Sequence, residues 1–149
     1  MATLRERPYV QFNFLVDLGS GTEGPDAGFQ EISGIGMEVT VAEYRNGNNR
    51  ENSVLKMTGL NKSTDVTLKR GVIGSLSLYN WLHEIRNGNQ EARKTVVIHL
   101  QNEDHTQVVQ TWKLMQARII KHTSGPLNAK GTDVAMEELV LAYERLEME

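Results

Sequence analysis

The chain has 149 residues, of which 39% are hydrophobic and 23% charged, and its formal net charge is −3 at pH 7. This composition predicts one soluble globular domain over residues 1–149 and excludes a basic protein that binds a nucleic-acid backbone. The chain has no apolar run that could span a bilayer, no secretory signal pattern and no cysteine, so we expect cytoplasmic synthesis, no membrane anchoring, no disulfides and no thiolate metal site.

The first elements along the chain are predicted strands. Apolar residues alternate with polar ones from Val10 to Leu18 and again from Ile35 to Val41, and a period of two is typical of half-buried strands. The loop between them contains G-x-G-x-x-G at residues 19–24, and Glu43 follows at the distance expected of a ribose-binding acid. No helical pattern follows these glycines to hold a pyrophosphate, so we interpret the segment as a flexible loop.

A long polar segment, YRNGNNREN, separates the second strand from the next one. It contains Asn46-Gly47, which favours a tight hairpin turn. The segment has no apolar face that could pack on its own domain, so we expect an arm at about residues 42–54 that contacts another protein. The residues predicted to form the contact are Tyr44, Arg45, Asn46, Gly47, Asn48, Asn49 and Arg50.

Short strands are predicted at Val54–Met57 and around Val66 and Leu68, and the period then changes from two to that of a helix. Four apolar residues fall at i, i+3, i+4 and i+7, a spacing that lines one face of a helix. We expect Ser75 or Ser77 to cap the start of this helix and Gly88 to end it. The predicted core face of the helix consists of Leu78, Trp81, Leu82 and Ile85.

Three strands are predicted after the helix. The first contains Val96, Ile98 and Leu100, and a long strand begins near Thr106. Its apolar parity reverses near Leu114, which indicates a β-bulge. The last strand, Asp133 to Tyr143, is apolar on both parities and is therefore expected to be central or covered on both faces.

About seven strands and one helix predict a mainly β fold, a small antiparallel β-barrel or sandwich of two sheets with one flanking α-helix. Trp81 and Trp112 are interpreted as core residues on the two sides of a helix-on-sheet contact. Strands with open edges must pair or aggregate, and a ring of identical subunits would close them. The polar parity of the first and fifth predicted strands then becomes a candidate lumen lining, the alternative being an ordinary solvated face: Gln11, Asn13, Asp17, Thr95, His99 and Gln101.

No constellation of residues predicts catalysis, a cofactor or a metal. The four histidines, at positions 83, 99, 105 and 122, lack ligand spacing. Glu137 and Glu138 are neighbours in a strand and so point to opposite faces. We therefore expect a protein that is not an enzyme.

Four segments together resemble the phage tail tube family: FQEISGIGMEVTVAEYRNGNN, VLKMTGLNKSTDVTLKRG, LYNWLHEIRNG and VAMEELVLAYERLEM. The likeness extends from Tyr9 to Met148. The sequence departs from the family pattern at Thr58-Gly59, where the family often has proline before glycine. It departs again at Arg118-Ile119-Ile120, where a tryptophan–proline pair is common.

The resemblance implies a subunit of the inner tube of a contractile injection machine, either a phage tail or an extracellular injection system. Six copies would form a ring, and rings would stack around a lumen that passes a cargo protein or DNA. The implied partners are the chain itself and the sheath, baseplate and cap proteins. The particle would be assembled in the bacterial cytoplasm and then be part of a virion or of a released particle.

Two alternatives stay open at this point. A secreted hexameric ring protein of type VI secretion would share the fold but form single rings. A monomeric β-barrel that binds an apolar ligand belongs to another class and would need an internal cavity.

Overall fold

The structure is a computed structural model, and it describes residues 2–149. The described residues form nine strands, one α-helix and one 3₁₀ turn. In chain order they are β1 (Phe14–Asp17), a 3₁₀ turn (Pro25–Ala27), β2 (Glu31–Ser33), β3 (Met37–Tyr44), β4 (Leu55–Ser63), β5 (Val66–Gly71), α1 (Ser77–Arg86), β6 (Lys94–Gln101), β7 (Val108–Ser124), β8 (Met136–Ala142) and β9 (Arg145–Met148).

Two antiparallel sheets share the long strand β7. Sheet A has the order β1-β6-β7-β9, and sheet B has the order β7-β8-β5-β2. The path ends at β1 on one side and β2 on the other, and these two strands do not pair with each other in the described chain. The mainly β fold with two antiparallel sheets and one helix is confirmed, and the barrel is open along one side.

β7 bends where the sequence predicted a bulge. Val96 pairs with Leu114 and Lys94 pairs with Ala117, so β7 contains one extra residue here, and Gln116 has a positive φ of 56°. Leu114 and Ala117 are nevertheless both fully buried, because the extra residue returns the later side chains to the core face. The bend allows one strand to belong to both sheets.

The core lies between the sheets and beneath α1. Leu78 and Trp81 are buried, and Leu82 and Ile85 are partly buried against the same core. The indole Nε1 of Trp81 donates to the carbonyl oxygen of Ala92 at 2.7 Å, which satisfies its one polar group. Trp112, in contrast, is only partly buried and lies at the open side of the barrel.

The predicted ends of α1 are half right. Gly88 has φ 87° and follows the last turn, as expected of a left-handed stop. The predicted serine cap is wrong: Leu76 is the N-cap residue, and no side chain caps the helix. Ser77 already lies inside the helix, and its amide donates to Ser75 Oγ at 3.3 Å.

The terminal strands differ from the predicted ones in length. β1 covers only residues 14–17 of the alternating segment that begins at Val10, because its partner β6 ends at Gln101, whose amide donates to Asn13 O. The predicted last strand, Asp133 to Tyr143, corresponds to β8, and a further strand that was not predicted, β9, follows it. β8 is central, between β5 and β7, as its apolar residues on both parities indicated.

A charged cluster closes one end of the core. Arg70, only 1% exposed, donates through Nε to Glu137 and through Nη1 to the carbonyl oxygen of Asp26 at 2.9 Å. Its guanidinium also lies 5.6 Å from the ring centroid of Phe29. The other carboxylate oxygen of Glu137 lies 3.1 Å from His122 Nε2. Because a buried charge requires a partner, Glu137 is the group that makes burial of Arg70 tolerable.

Candidate functional site

β3 and β4 form a hairpin that pairs with neither sheet A nor sheet B. They pair only with each other, in a register that runs from Met37↔Ser63 to Tyr44↔Leu55. Every residue of β3 is exposed, as is every residue of β4 except the last. The two strands therefore project from the body as an arm, which we call the hairpin arm (residues 37–63).

Both faces of the hairpin arm carry exposed apolar side chains. Met37, Val39 and Val41 lie on one face, each about half exposed. Tyr44, Leu55 and Met57 lie towards the tip on the opposite face, with exposures of 55%, 58% and 60%, and we call them the distal patch. An isolated two-stranded hairpin is marginally stable in water, and clustered exposed apolar residues mark an interaction surface.

The tip of the hairpin arm corrects the predicted tight turn. The last strand pair is Tyr44↔Leu55, so residues 45–54 form a long loop. Within it Asn49 N donates to Asn46 O at 3.1 Å, so Gly47 and Asn48 occupy the centre of the turn instead of Asn46 and Gly47. Gly47 does not have the positive φ that a primed turn requires.

Arg45 organises this loop from within. Its guanidinium donates to the carbonyl oxygens of Asn49 at 3.0 Å and Glu51 at 3.2 Å, and to Asn52 Oδ1 at 3.3 Å. The Tyr44 hydroxyl donates to Asn46 Oδ1 at 2.7 Å. Hydrogen bonds between loop residues thus give the exposed tip a defined shape.

The base of the hairpin arm is clamped to the body. Thr64 Oγ1 donates to Gly34 O at 2.6 Å, and the Tyr143 hydroxyl donates to Gly36 O at 2.8 Å. Gly34 has φ +89°, and a Cβ there would lie 2.4 Å from Asp65 O, so only glycine fits this close crossing of chains. The direction in which the arm leaves the body is therefore fixed at its base.

An apolar groove of about 690 Å³ runs along the open side of the barrel. Sheet A contributes residues of its core face, and β2 with its flanks contributes the opposite wall. The rim includes Phe12, whose side chain is 67% exposed. The main apolar lining residues are Phe12, Phe14, Ile32, Ile98, Leu100 and Trp112.

Sheet A has two unpaired edges, β1 and β9, and an outer face that is largely polar. Asp17 and His99 lie on this face, opposite the buried Val16 and Ile98, and Lys113 is in register with Val97 on the same side. Two residues predicted for it are placed otherwise. Gln11 lies outside β1 and lines the groove, and Asn13 is buried, its Nδ2 donating to the carbonyl oxygens of Asn102 and Glu103 at 3.1 Å.

Two exposed ion pairs flank this face. Lys113 Nζ donates to Glu149 Oε1 at 2.6 Å, which raises the pKa of Lys113 and lowers that of Glu149. Arg5 donates to both carboxylate oxygens of Glu103, and this hydrogen bonding lowers the pKa of Glu103 from 4.5 to about 2. The second pair joins the N-terminal segment to the turn between β6 and β7.

The Arg5–Glu103 contact gives a pH-dependent attachment of the N-terminal segment. A carboxyl whose pKa is depressed in the folded state contributes stability fully above pH 4.5, and the contribution is lost as the pH falls towards 2. We expect the Glu103 carboxyl to titrate near pH 2 by NMR, and residues 2–9 to exchange amide protons faster in that range. In the Arg5→Gln control the pKa should return towards 4.5, and a wild-type Glu103 that titrates near 4.5 would contradict the contact.

The glycine loop at residues 19–24 does not form a phosphate cradle. The amides of Gly19 and Gly21 already donate to the Asp17 carboxylate, at 2.8 and 3.0 Å. Only a three-residue 3₁₀ turn follows, so no helix N-terminus faces the loop. The carboxylate satisfies the donors that an anion would need.

The described histidines lie apart, each with a local partner. His83 contacts Arg86 and Asn87 on α1, His99 contacts Thr111, His105 contacts Gln101, and His122 contacts Glu137. Within residues 2–149 no three metal-ligating side chains come together. The same part of the chain contains no helix of the length and hydropathy that a membrane crossing requires.

The exposed apolar surface of the hairpin arm was only partly predictable from the sequence. The alternation of Met37, Val39 and Val41 predicted a half-buried strand, but these residues are exposed and the chain itself does not cover them. An alternating pattern predicts that one face of a strand is buried, but it does not identify whether the same chain or another one buries it. The groove escaped sequence analysis because its walls come from β1, β2, β6 and β7, which are distant along the chain.

Known structures resemble this chain closely. A chain of the PVC extracellular contractile injection system, in its extended sheath–tube complex, is 31% identical with a TM-score of 0.83, over 97% of this chain and 93% of that one. A chain of the anti-feeding prophage cap is 27% identical with a TM-score of 0.84, over 100% and 95%. Hcp1 from Flavobacterium johnsoniae, at 11% identity, a TM-score of 0.55 and coverage of 91% and 93%, shares the fold.

Comparison with curated protein sequences finds no match. The sequence profile of the T4-like virus tail tube protein gp19 family, however, matches residues 10–147, which is most of the chain and includes the hairpin arm and both sheets. The chain therefore belongs to the T4-like virus tail tube protein gp19 family.

Proposed function

We propose that this chain is a structural subunit, not an enzyme, of the inner tube of a contractile injection machine. It forms hexameric rings that stack around a lumen. The observation that carries the proposal is the hairpin arm, whose apolar side chains stay uncovered on both faces within the subunit. In a member of the tail tube family, copies of the same chain are available to cover them.

Sheet A supports the closure of a ring. Its edges β1 and β9 lie on opposite sides of the sheet, and both lack a partner strand in the described chain. Pairing the β1 edge of one subunit with the β9 edge of the next extends the sheet around a closed cycle, which removes exposed edges. The polar outer face, with Asp17, Thr95, His99 and Gln101, then lines the lumen through which a cargo protein or DNA passes.

The remaining partners follow from the complexes in which the similar chains occur. Those complexes are a sheath–tube assembly, a tube-terminating cap and a six-fold symmetrised baseplate. We infer that this chain likewise contacts sheath, cap and baseplate proteins, as part of an extracellular injection particle or a virion. We further propose assembly in the bacterial cytoplasm and a single tube domain in which residues 44–50 contact a neighbouring subunit.

Electron microscopy of the purified protein, alone and with its baseplate, tests the function. Rings or stacked tubes are expected. Monodisperse monomers under both conditions would contradict a tube subunit. Single hexamers in the culture medium, with no tubes in the native context, would instead support the type VI-like ring protein, whose likeness to this chain at 11% identity extends only to the fold.

A further inference from the structure

We propose that the distal patch of one subunit (Tyr44, Leu55 and Met57) docks into the apolar groove of a neighbouring copy. This inference deepens the proposed function, since it rests on self-association and names the surface that receives the arm. The patch and the groove are both apolar and unoccupied by the chain that carries them. The groove could therefore cover the apolar side chains of the distal patch, and the patch could cover the apolar lining of the groove.

The distal patch cannot reach the groove of its own subunit. Ile35 lines the groove, and β3 begins at Met37, two residues later. Tyr44 ends this eight-residue strand, so it lies about 23 Å farther along at the usual rise of a strand. Because the clamp at Gly34, Gly36 and Thr64 fixes the direction of the arm, the groove that the patch meets belongs to another copy.

The charge distribution favours this pairing. The distal patch contains no charged side chain, and the charged pair of the hairpin nearest to it, Glu43 and Lys56, lies on the opposite face. Among the groove residues only Glu31 is charged, and it is paired with Lys69 at 3.2 Å. Docking therefore removes apolar surface from water on both sides without burying an unpaired charge.

The free edge of β2 favours a strand-like occupant over a small molecule. β2 borders the groove and has only one neighbouring strand, whereas the free edge of β1 pairs with β9 of the next subunit in the proposed ring. The free backbone N–H and C=O groups of β2 need hydrogen-bond partners when water is displaced. A hairpin supplies such groups along its own free edge, whereas an apolar ligand satisfies none of them.

Cysteine cross-linking tests the contact, since the native chain contains no cysteine. Leu55→Cys places a thiol on the distal patch, and Phe12→Cys places one at the rim of the groove. Mixed in equal amounts under assembly conditions and treated with copper–phenanthroline, these two variants should yield a covalent dimer of twice the subunit mass. Each variant alone should yield none or far less.

Two matched controls separate a specific contact from random collision. Lys56→Cys lies next to residue 55 but on the opposite face of the hairpin, and Leu127→Cys is on an exposed loop at 86% exposure. Lys56→Cys with Phe12→Cys, and Leu55→Cys with Leu127→Cys, should both fail to cross-link. If tubes form and Leu55→Cys does not cross-link to Phe12→Cys, the docking inference is overturned while the proposed function stands.

Phe12→Asp gives a second measurement that does not depend on cross-linking. Introducing a charge at the rim, and removing a phenylalanine that docking would bury, should raise the protein concentration needed for tube growth by roughly tenfold or more. Leu127→Asp, which changes an exposed leucine outside the groove, should leave that concentration unchanged. An unchanged concentration for Phe12→Asp, or a small apolar molecule found in the groove by native mass spectrometry, would contradict the docking. Absence of any ring or tube from the unaltered protein would instead refute the proposed function.

Discussion

Replacement of Glu137 by alanine is expected to lower the free energy of unfolding by about 3–5 kcal/mol, the usual cost of leaving a buried charge without its partner. Arg70 is 1% exposed, and Glu137 is the only carboxylate within hydrogen-bond distance of its guanidinium in the described chain. Its Nη2 atom already has no hydrogen-bond partner among residues 2–149. The variant would leave the guanidinium with the Asp26 carbonyl oxygen, the Phe29 ring and the exposed Asp26 carboxylate at 3.9 Å from Nη1.

Urea denaturation of the unassembled subunit measures this loss. Glu138→Ala is the matched control, because Glu138 is the next residue and projects from the other face of β8, in register with Lys69. That change should cost less than about 1 kcal/mol, as expected of a carboxylate at the surface. Equal losses for the two variants would show that the buried pair has no special role in stability.

Deletion of residues Arg45 to Arg50 is expected to abolish tube growth while leaving the subunit folded. All six residues are exposed, and the hydrogen bonds of Arg45 are made within the same loop. Residues 51–54 remain to connect Tyr44 to Leu55, a loop length that hairpins commonly use. The deletion therefore removes the shaped tip but not the strands that it joins.

Electron microscopy measures the presence and length of tubes, and circular dichroism with urea denaturation measures the folding and stability of the subunit. A variant in which the same six residues are replaced by glycine and serine keeps the length of the loop and removes the Arg45 network, so its failure would assign the effect to the shape of the tip. Tubes of normal length from the deletion variant would refute the role proposed for residues 44–50. A deletion variant that no longer folds would show that the loop also contributes to the stability of the subunit.

The fold was largely predictable because its main elements are long enough to show a period. β6, β7, β8 and α1 were all predicted in place, and the bulge near Gln116 followed from a change of parity at Leu114. β2 and β9 were missed since strands of three and four residues show almost no periodicity. β8 ends at Ala142 and β9 begins at Arg145, so Tyr143 and Glu144 separate the two strands.

The exposure of the hairpin arm was predicted only in part. The polar composition of residues 45–50 predicted an exposed tip, and these residues are exposed, while their role in a contact stays a prediction. Of the distal patch, Tyr44 was among the predicted contact residues, but Leu55 and Met57 were assigned to an ordinary strand. Whether a strand is exposed depends on which other elements pack against it in the folded protein, and local sequence does not determine this. The two departures from the family pattern fall at irregular pairings, one extra residue near Gly59 in β4 and one near Ile120 in β7.

The clamp at the base of the hairpin arm has a consequence for symmetry. The angle between arm and body depends on Gly34, Thr64 and Tyr143, which lie away from the distal patch and the groove. In a tube of stacked rings, we expect this angle to influence the rotation and rise from one ring to the next. The helical pitch would then depend on three residues of the single subunit that lie outside both contact surfaces.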